Sequence, residues 1–412
     1  MNNFLLNEGY DDLNNLFTSG KGSNIYIKNK RYLDLSLCAG SHILGHNPIV
    51  FQKSIKNMMK LGISNFAAKN KYAVEFSKTL KEIFPEYEKF VFCNSGTEAV
   101  MKSLRIARAV TKKNIIISVT GSWHGSTSEL LYTNNNKFES VELSSGLDLN
   151  FKKNLKFIPY NDIQASEITL NKYKKQIMCV IVEPIQGCLP IEAKKFLKFL
   201  DNYCKKNKLI LIFDEMITGL RFNCSSVQNQ FNLKPSISTF GKCFGGGLPI
   251  GIIGIKKNVI KKLDKNKKKI FFGGTFSGNS INTFIANRLV RYVYKNKKNI
   301  FDNLDKKSEF IQKEINLFLK KNNIDAKCVR FSSMIRLVFT KKNIINRSQR
   351  DFFENSKKKI ISEFRKYLFV NKIYYPTSGI IFMATSTSYK QINHFIKISK
   401  KAFKKLQIKN SH

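Results

Sequence analysis

A chain with 71 Lys and Arg residues places only one of them, Lys242, between Pro235 and Ile255. That lysine lies in STFGKCFGGGLPIGIIGI (Ser238–Ile255), between two apolar patches and just ahead of Gly245, Gly246 and Gly247. An apolar, charge-poor setting disfavours an ammonium and eases loss of its proton. A neutral amine can condense with a carbonyl, and the glycines permit a bend and close approach of a ligand. A second candidate is Asp214, in LIFDEMITGLRF (Leu211–Phe222). It follows the apolar run Leu209–Phe213, so it falls at the strand-end edge where α/β sheets bind ligands. Helix capping would account for an acid there equally well. A third group is Ser95, Gly96 and Thr97 in NSGTEAVMKSLRIARA (Asn94–Ala109), where a strand gives way to a helix. Ser95 and Glu98 have capping-box spacing. Small residues at a helix start leave N–H groups and a positive dipole end that suit a phosphate. The fourth, GGTFSGNS (Gly273–Ser280), again sets hydroxyls and glycines before a helix, and could be a plain N-cap.

Something must bring these groups together. Short apolar runs predict strands at Lys89–Cys93, Asn114–Val119, Met178–Val182, Leu209–Phe213, Ile237–Phe240 and Ile250–Ile255. Helical periodicity predicts helices at Asn70–Phe84, Glu98–Val110, Lys194–Lys206 and Ser280–Tyr294. Strand–helix alternation implies a mainly parallel sheet covered on both faces. NIYIKNKRYLDLS alternates around a KNK turn and reads as a hairpin. From about Asn296 the chain is Lys/Asn-rich and helical, with strand-like pieces at Val329–Thr340 and Gly379–Thr385. The expected organisation is an N-terminal segment (1–50) contributing to a small domain, a large α/β domain (51–295), and a smaller C-terminal α+β domain (296–412).

The 412 residues are 42% hydrophobic, enough for a large core. No apolar run reaches the length of a membrane span. The N-terminus, MNNFLLNEGYDDLNNLF, carries early acids and does not read as a secretory leader. The eight cysteines form no CxxC and no cluster with the five scattered histidines. They read as reduced and mostly buried, which predicts a cytoplasmic protein without a metal site. The formal charge of +42 comes in many short runs such as KNKKNI, on no recognised nucleic-acid motif. It reads as solvated, composition-driven charge.

In order and approximate spacing, YLDLSLCAGSHILGH, FCNSGTEAVMKSLRIAR, SWHGS, VEPIQG, LIFDEMITGLRF, TFGKCFGGGLPIG and GGTFSGN resemble the class III aminotransferases. These are pyridoxal 5'-phosphate (PLP) enzymes of fold type I, and the likeness is greatest to the glutamate-1-semialdehyde 2,1-aminomutase branch. It covers about Tyr32–Asn279; the small domain matches only faintly, around FSSMIRLVF. The resemblance implies that Lys242 holds PLP as an internal aldimine and then moves a proton on the substrate. It implies that Asp214 pairs with the pyridine nitrogen and that Ser95, Gly96 and Thr97 form the phosphate cup. Thr275 would reach the phosphate of the neighbouring subunit in a homodimer with shared sites. Trp123 and His124 fall where the family usually has Tyr-His-Gly, so Trp123 would stack on the cofactor. Glu183 and Gln186 would lie near it, although Glu183 could equally be a structural strand-end acid.

Two edges differ from the aminomutases. Those enzymes carry a proline-glycine-rich N-terminal segment with a substrate-contacting Ser and Arg, and this chain has none. They also carry an acid in a C-terminal loop that here reads SGIIFMATSTSYK, and no Arg follows Arg365. The resemblance thus implies an aminotransferase moving an amino group between a small-molecule donor and a ketone or aldehyde. The alternative is the intramolecular 2,1-aminomutase. A non-catalytic basic nucleic-acid-binding scaffold is a third reading, and it predicts loss of Lys242 or Asp214.

Overall fold

The computed structural model describes residues 16–135 and 138–406. Met1–Asn15 of the N-terminal stretch discussed above lies outside them. In chain order the strands are β1 (Phe17–Lys21), β2 (Asn24–Ile27), β3 (Lys30–Asp34), β4 (Lys89–Cys93), β5 (Ile115–Val119), β6 (Tyr132–Asn134), β7 (Ser140–Glu142) and β8 (Leu155–Ile158). They continue with β9 (Ile177–Val182), β10 (Ile210–Asp214), β11 (Ile237–Gly241), β12 (Gly251–Ile255), β13 (Lys327–Phe331), β14 (Met334–Val338), β15 (Ile373–Tyr374) and β16 (Ile380–Phe382).

Seven strands form the central sheet, in the order β4-β12-β11-β10-β9-β5-β8. The pairs β11/β10, β10/β9, β9/β5 and β5/β8 are parallel, while β12 runs antiparallel to both of its neighbours. The six expected sheet strands are all present, with ends shifted by at most one residue. Five of them are legible because both faces are buried, which demands unbroken apolar runs, while β4 is a half-buried edge strand. On one face Ile117, Val119, Val180, Val182, Leu211 and Phe213 pack against Phe196, Leu197 and Leu200 of the helix Lys194–Lys206. On the other, Ile116, Ile181, Ile210 and Ile212 pack against Ala99, Val100, Leu104 and Ala107 of the helix Gly96–Thr111. The seventh strand, β8, is the short LKFI, too brief to stand out in a Lys-rich stretch.

The expected hairpin at NIYIKNKRYLDLS is β2/β3, and β15 adds to its edge parallel to β3. This contact brings the N-terminal strands onto the C-terminal part of the chain. The piece expected at Val329–Thr340 is not one strand but the hairpin β13/β14, reversed at Ser332, whose φ is 49°. β16 pairs with β14. One apolar cluster runs from Leu33 and Leu35 through Phe240 and Phe244 to Ile335, Phe364 and Phe395, tying these layers to the sheet.

Candidate active site

The expected site residues converge at the C-terminal ends of the parallel strands. Lys242 follows β11, Asp214 ends β10, Glu183 follows β9, Trp123 and His124 follow β5, and Ser95–Thr97 follow β4. Together they line one pocket of about 420 Å³.

Lys242 has a left-handed backbone, with φ 44°. Its carbonyl accepts from Gly245 N (3.0 Å) and Gly246 N (3.2 Å), which folds the glycine run back under the pocket. A side chain at Gly247 (φ +105°) would press a Cβ within 2.4 Å of the His42 ring. Burial pushes the Lys242 ammonium pKa down, while Glu183 and Asp214 pull the other way. Among the described residues Lys242 makes no ion pair.

Asp214 is buried and held on both oxygens. Oδ2 meets His124 Nδ1 at 2.7 Å. Oδ1 accepts from Thr239 Oγ1 (3.0 Å) and Met216 N (3.2 Å). The opposite ring nitrogen, His124 Nε2, is buried without a partner among the described residues. Thr239 was not expected at the site. It reaches Asp214 only because β10 and β11 pair with Asp214 opposite Thr239, a register that no local pattern announces.

Ser95 caps the helix Gly96–Thr111 by accepting from Glu98 N at 3.1 Å, and Glu98 reaches back to Asn94 N at 2.8 Å. That leaves the first-turn N–H groups of Gly96 and Thr97 without partners among the described residues, at the pocket wall. Thr97 Oγ1 accepts from Ser126 N at 3.1 Å. A Cβ on Gly125 (φ +80°) would lie 2.3 Å from that same oxygen, so the cup tolerates only glycine there. Glu98 also pairs with buried Lys102, which donates to Phe272 O (2.8 Å) and Ser277 Oγ (3.4 Å). This lysine pins the GGTFSGN loop against the helix. Thr275 itself is exposed and does not line its own chain's pocket.

Cys38 also lines the pocket, and nothing in the sequence singled it out. It belongs to a turn, Leu37–Gly40, whose residues all have positive φ: 47°, 54°, 50° and 86°. Left-handed geometry disfavours non-glycine residues by about 1–2 kcal/mol each. The turn is held by Gly40 O, which accepts from Arg221 and from Cys243 Sγ (3.1 Å), the neighbour of Lys242.

Glu183 accepts from Trp123 N at 2.8 Å, which sets the indole at the pocket edge, 55% exposed. Burial raises the Glu183 pKa to about 7, against the pull of His124. A carboxyl raised in the folded state binds its proton more tightly there than in the unfolded chain. Its stabilising contribution is full below the unfolded pKa and is lost as pH rises through about 7. The melting temperature of the cofactor-free protein should therefore fall between pH 5 and 8. Glu183→Gln should flatten part of that fall, by up to about 3 kcal/mol at pH 8. Parallel pH profiles for parent and variant would refute this reading of Glu183.

The family description "Aminotransferase class-III" matches residues 6–366. The chain belongs to the class III aminotransferases. This is a family of PLP enzymes that move amino groups. The chain is similar to a glutamate-1-semialdehyde 2,1-aminomutase of Thermodesulfovibrio yellowstonii, at 30% identity over 94% of this chain and 90% of the relative. It is 34% identical to the one from Wigglesworthia glossinidia brevipalpis over 78% of this chain and 74% of the relative. Among solved structures, an omega-transaminase from Sphaerobacter thermophilus superposes with a TM-score of 0.87 at 20% identity, covering 97% of this chain and 93% of that one. A glutamate-1-semialdehyde aminomutase from Pseudomonas aeruginosa superposes with a TM-score of 0.84 at 16% identity, over 95% and 88%.

Proposed function

We propose that this class III enzyme is a glutamate-1-semialdehyde 2,1-aminomutase, transferring an amino group between adjacent carbons of one small amino aldehyde. The observation that carries amino transfer is a buried Lys242 amine facing Glu183 and Asp214 across a pocket with a helix N-terminus at its edge. The relatives' name, at 30% identity over nearly the whole chain, supports the substrate. This order reverses the expectation from sequence, which put the intermolecular aminotransferase first.

The residues fit PLP. The open N–H groups of Gly96 and Thr97, with the Ser95 hydroxyl beside them, suit its phosphate. The buried Asp214 carboxylate suits a protonated ring nitrogen, and the Trp123 ring suits a cofactor face. When bound, PLP supplies an electron-withdrawing ring that stabilises negative charge on the carbon bearing the amine. Around it, Asp214 holds the proton on the ring nitrogen, and His124 and Thr239 fix the carboxylate that does so. Lys242 would hold the cofactor, and its free Nζ would accept and return a proton at the substrate carbon. Burial keeps that Nζ neutral enough to accept one. Trp123 and the left-handed Leu37–Gly40 turn exclude water from the faces they cover.

An intermolecular reaction is the second reading. It is favoured by β16 and its following loop, which bring neither an acid nor a guanidinium to the pocket wall. The requirement for a donor separates the two. The aminomutase reading expects purified enzyme, charged with an amino group, to convert glutamate-1-semialdehyde with no second amine present. Conversion that stops after one turnover and resumes with an added donor would overturn it.

The enzyme is, in this reading, a cytoplasmic homodimer. Six of its eight cysteines are buried and all are free, as a reducing compartment allows. Among the described residues, no helix is long and apolar enough to cross a membrane. Phe271 and Phe276, 75% and 57% exposed, flank Thr275 on an uncovered loop, and a second copy would bury them. Thr275 then completes the partner's phosphate cup. Thr275→Val removes one hydrogen bond to an anion, about 1.5–3 kcal/mol, so PLP affinity should fall roughly ten- to a hundredfold. Mixing it with excess Lys242→Ala chains creates heterodimers in which one site carries both lesions and the other neither. Activity per Thr275→Val chain at limiting PLP should rise. A flat response in verified heterodimers would make Thr275 an ordinary part of the loop.

A further inference from the structure

We propose that Arg347 anchors the anionic end of the substrate. The proposal rests on the amino-transfer reading and names the charge its substrate carries.

The pocket wall is short of positive charge. Its charged side chains are Glu183, Asp214 and Lys242, and the lysine is committed to the cofactor. Among the described residues no guanidinium lines it. A carboxylate entering alone would meet the acids Asp214 and Glu183 and, among the described residues, no free cation on the wall.

Arg347 stands at the same edge of the sheet. It opens the helix Arg347–Glu354, and the loop before that helix is docked on the C-terminal ends of β5 and β8. Asn161 Nδ2 donates to Ile345 O at 3.0 Å, Asn346 Nδ2 to Tyr160 O at 3.5 Å, and Arg347 Nη1 to Gly121 O at 3.2 Å. Gly121 is two residues ahead of Trp123, whose N–H is held by Glu183. The guanidinium is therefore fixed to the segment that carries the pocket's aromatic wall.

It is placed but not saturated. Nε donates to Asp351 at 3.1 Å and Nη1 to Gly121, while Nη2 makes no hydrogen bond among the described residues. Its side chain is 37% exposed. The neighbouring Arg350 differs: it is 6% exposed and tied to Asp351, Glu354 and Cys188 O. Arg336 is likewise buried on Glu354 and Ser378 O. Three guanidiniums thus share two carboxylates, Asp351 and Glu354, and the surplus charge is presented where the exposed one stands.

A second observation comes from the other side of Gly121. Gln186 is fully buried; its Nε2 donates to Thr120 O at 2.6 Å, but its Oε1 has no partner. A Cβ on Gly121 would lie 2.7 Å from Arg347 Cβ and 3.2 Å from Gln186 Oε1, so arginine and orphan acceptor adjoin. A buried acceptor without a donor is costly and points to a missing ligand. A guanidinium bonded to Gly121 O, with an acceptor lacking a donor on the far side of that glycine, suits a ligand that brings both a carboxylate and a donor, as an amino acid-like substrate does. A guanidinium also fits a carboxylate in two-point geometry that a lysine cannot reproduce.

The test compares holoenzyme with Arg347→Gln and Arg347→Lys, using glutamate-1-semialdehyde, the matched amino aldehyde lacking its carboxylate, and glutarate as a non-reacting probe. Glutarate affinity, read by calorimetry, should fall roughly ten- to a hundredfold in Arg347→Gln and be only partly recovered in Arg347→Lys. KM for glutamate-1-semialdehyde should rise by a similar factor with kcat little changed, and kcat/KM for the carboxylate-free amino aldehyde should stay the same. The cofactor absorbance and the borohydride label at Lys242 should also be unchanged. Equal losses for glutamate-1-semialdehyde and its carboxylate-free analogue, or unchanged glutarate binding, would overturn the proposal and leave Arg347 a staple between its helix and β5. If Arg347→Gln does not fold, an Arg347→Lys enzyme with undiminished glutarate affinity overturns it equally. An unlabelled Lys242 in the parent enzyme would sink the amino-transfer reading instead, and the glutarate arm would still decide Arg347.

Discussion

Lys242→Ala should abolish turnover while leaving the protein folded. The side chain that is lost points into an open pocket, so no cavity is created in the core and no ion pair is broken. The left-handed backbone at this position is no harder for alanine to adopt than for lysine, so stability should hold within about 1 kcal/mol. What disappears is, among the described residues, the only lysine amine lining the pocket, and with it the proposed tether and proton carrier. Loss of a positioned proton-transfer group alone is worth roughly 10²–10⁴ in rate, and loss of the covalent step adds to it. Borohydride reduction followed by peptide mapping should label Lys242 in the parent and nothing in the variant. A variant that still turns over and is labelled at another lysine would move the active centre elsewhere.

How much of this was legible depends on how local each signal is. The inner strands could be read because each must be apolar on both faces, whatever its neighbours. Lys242 stood out because one charge in an apolar run is a local anomaly, and the same holds for an acid closing the run at Leu209–Phe213. The C-terminal ends of β4, β5, β9, β10 and β11 then had to meet, since parallel strands carry their ends to one edge. Contacts that depend on pairing between distant segments were not legible. Thr239 meets Asp214 through strand register. Arg347 meets Gly121 across 226 residues of chain, through a loop with no pattern of its own. The Leu37–Gly40 turn escaped for another reason: three of its four residues are not glycine, so composition hides a left-handed backbone that tertiary contacts impose. β13 and β14 merged into one expected piece because their turn, Ser332-Ser333, lacks the glycine or asparagine that marks a tight reversal.

Asp214→Asn should keep the cofactor bound and slow proton removal from the substrate severely. The exchange is nearly isosteric, and asparagine's oxygen can still accept from Thr239 and Met216 N, so the fold should survive. The His124 side is where the change acts. Asp214 Oδ2 lies 2.7 Å from His124 Nδ1, and both side chains are almost wholly buried. An amide in place of the carboxylate removes the negative charge that, in the proposed reading, would keep the cofactor's ring nitrogen protonated. It also turns an acceptor toward His124 into a donor, which requires the imidazole to change tautomer. In a buried site a charge of this kind is not replaced by solvent. Losing one active-site electrostatic contact is worth about 3–4 kcal/mol, or two to three orders of magnitude in rate. Single-turnover measurements with a saturating amino donor isolate that step from release of product. The expected result is a full complement of bound PLP with a rate down at least a hundredfold. His124→Asn should show a smaller loss, because it disturbs the position of the carboxylate and leaves its charge in place. Near-parental single-turnover rates in Asp214→Asn would remove this residue from the chemistry and leave it a structural anchor for the turn that follows β10.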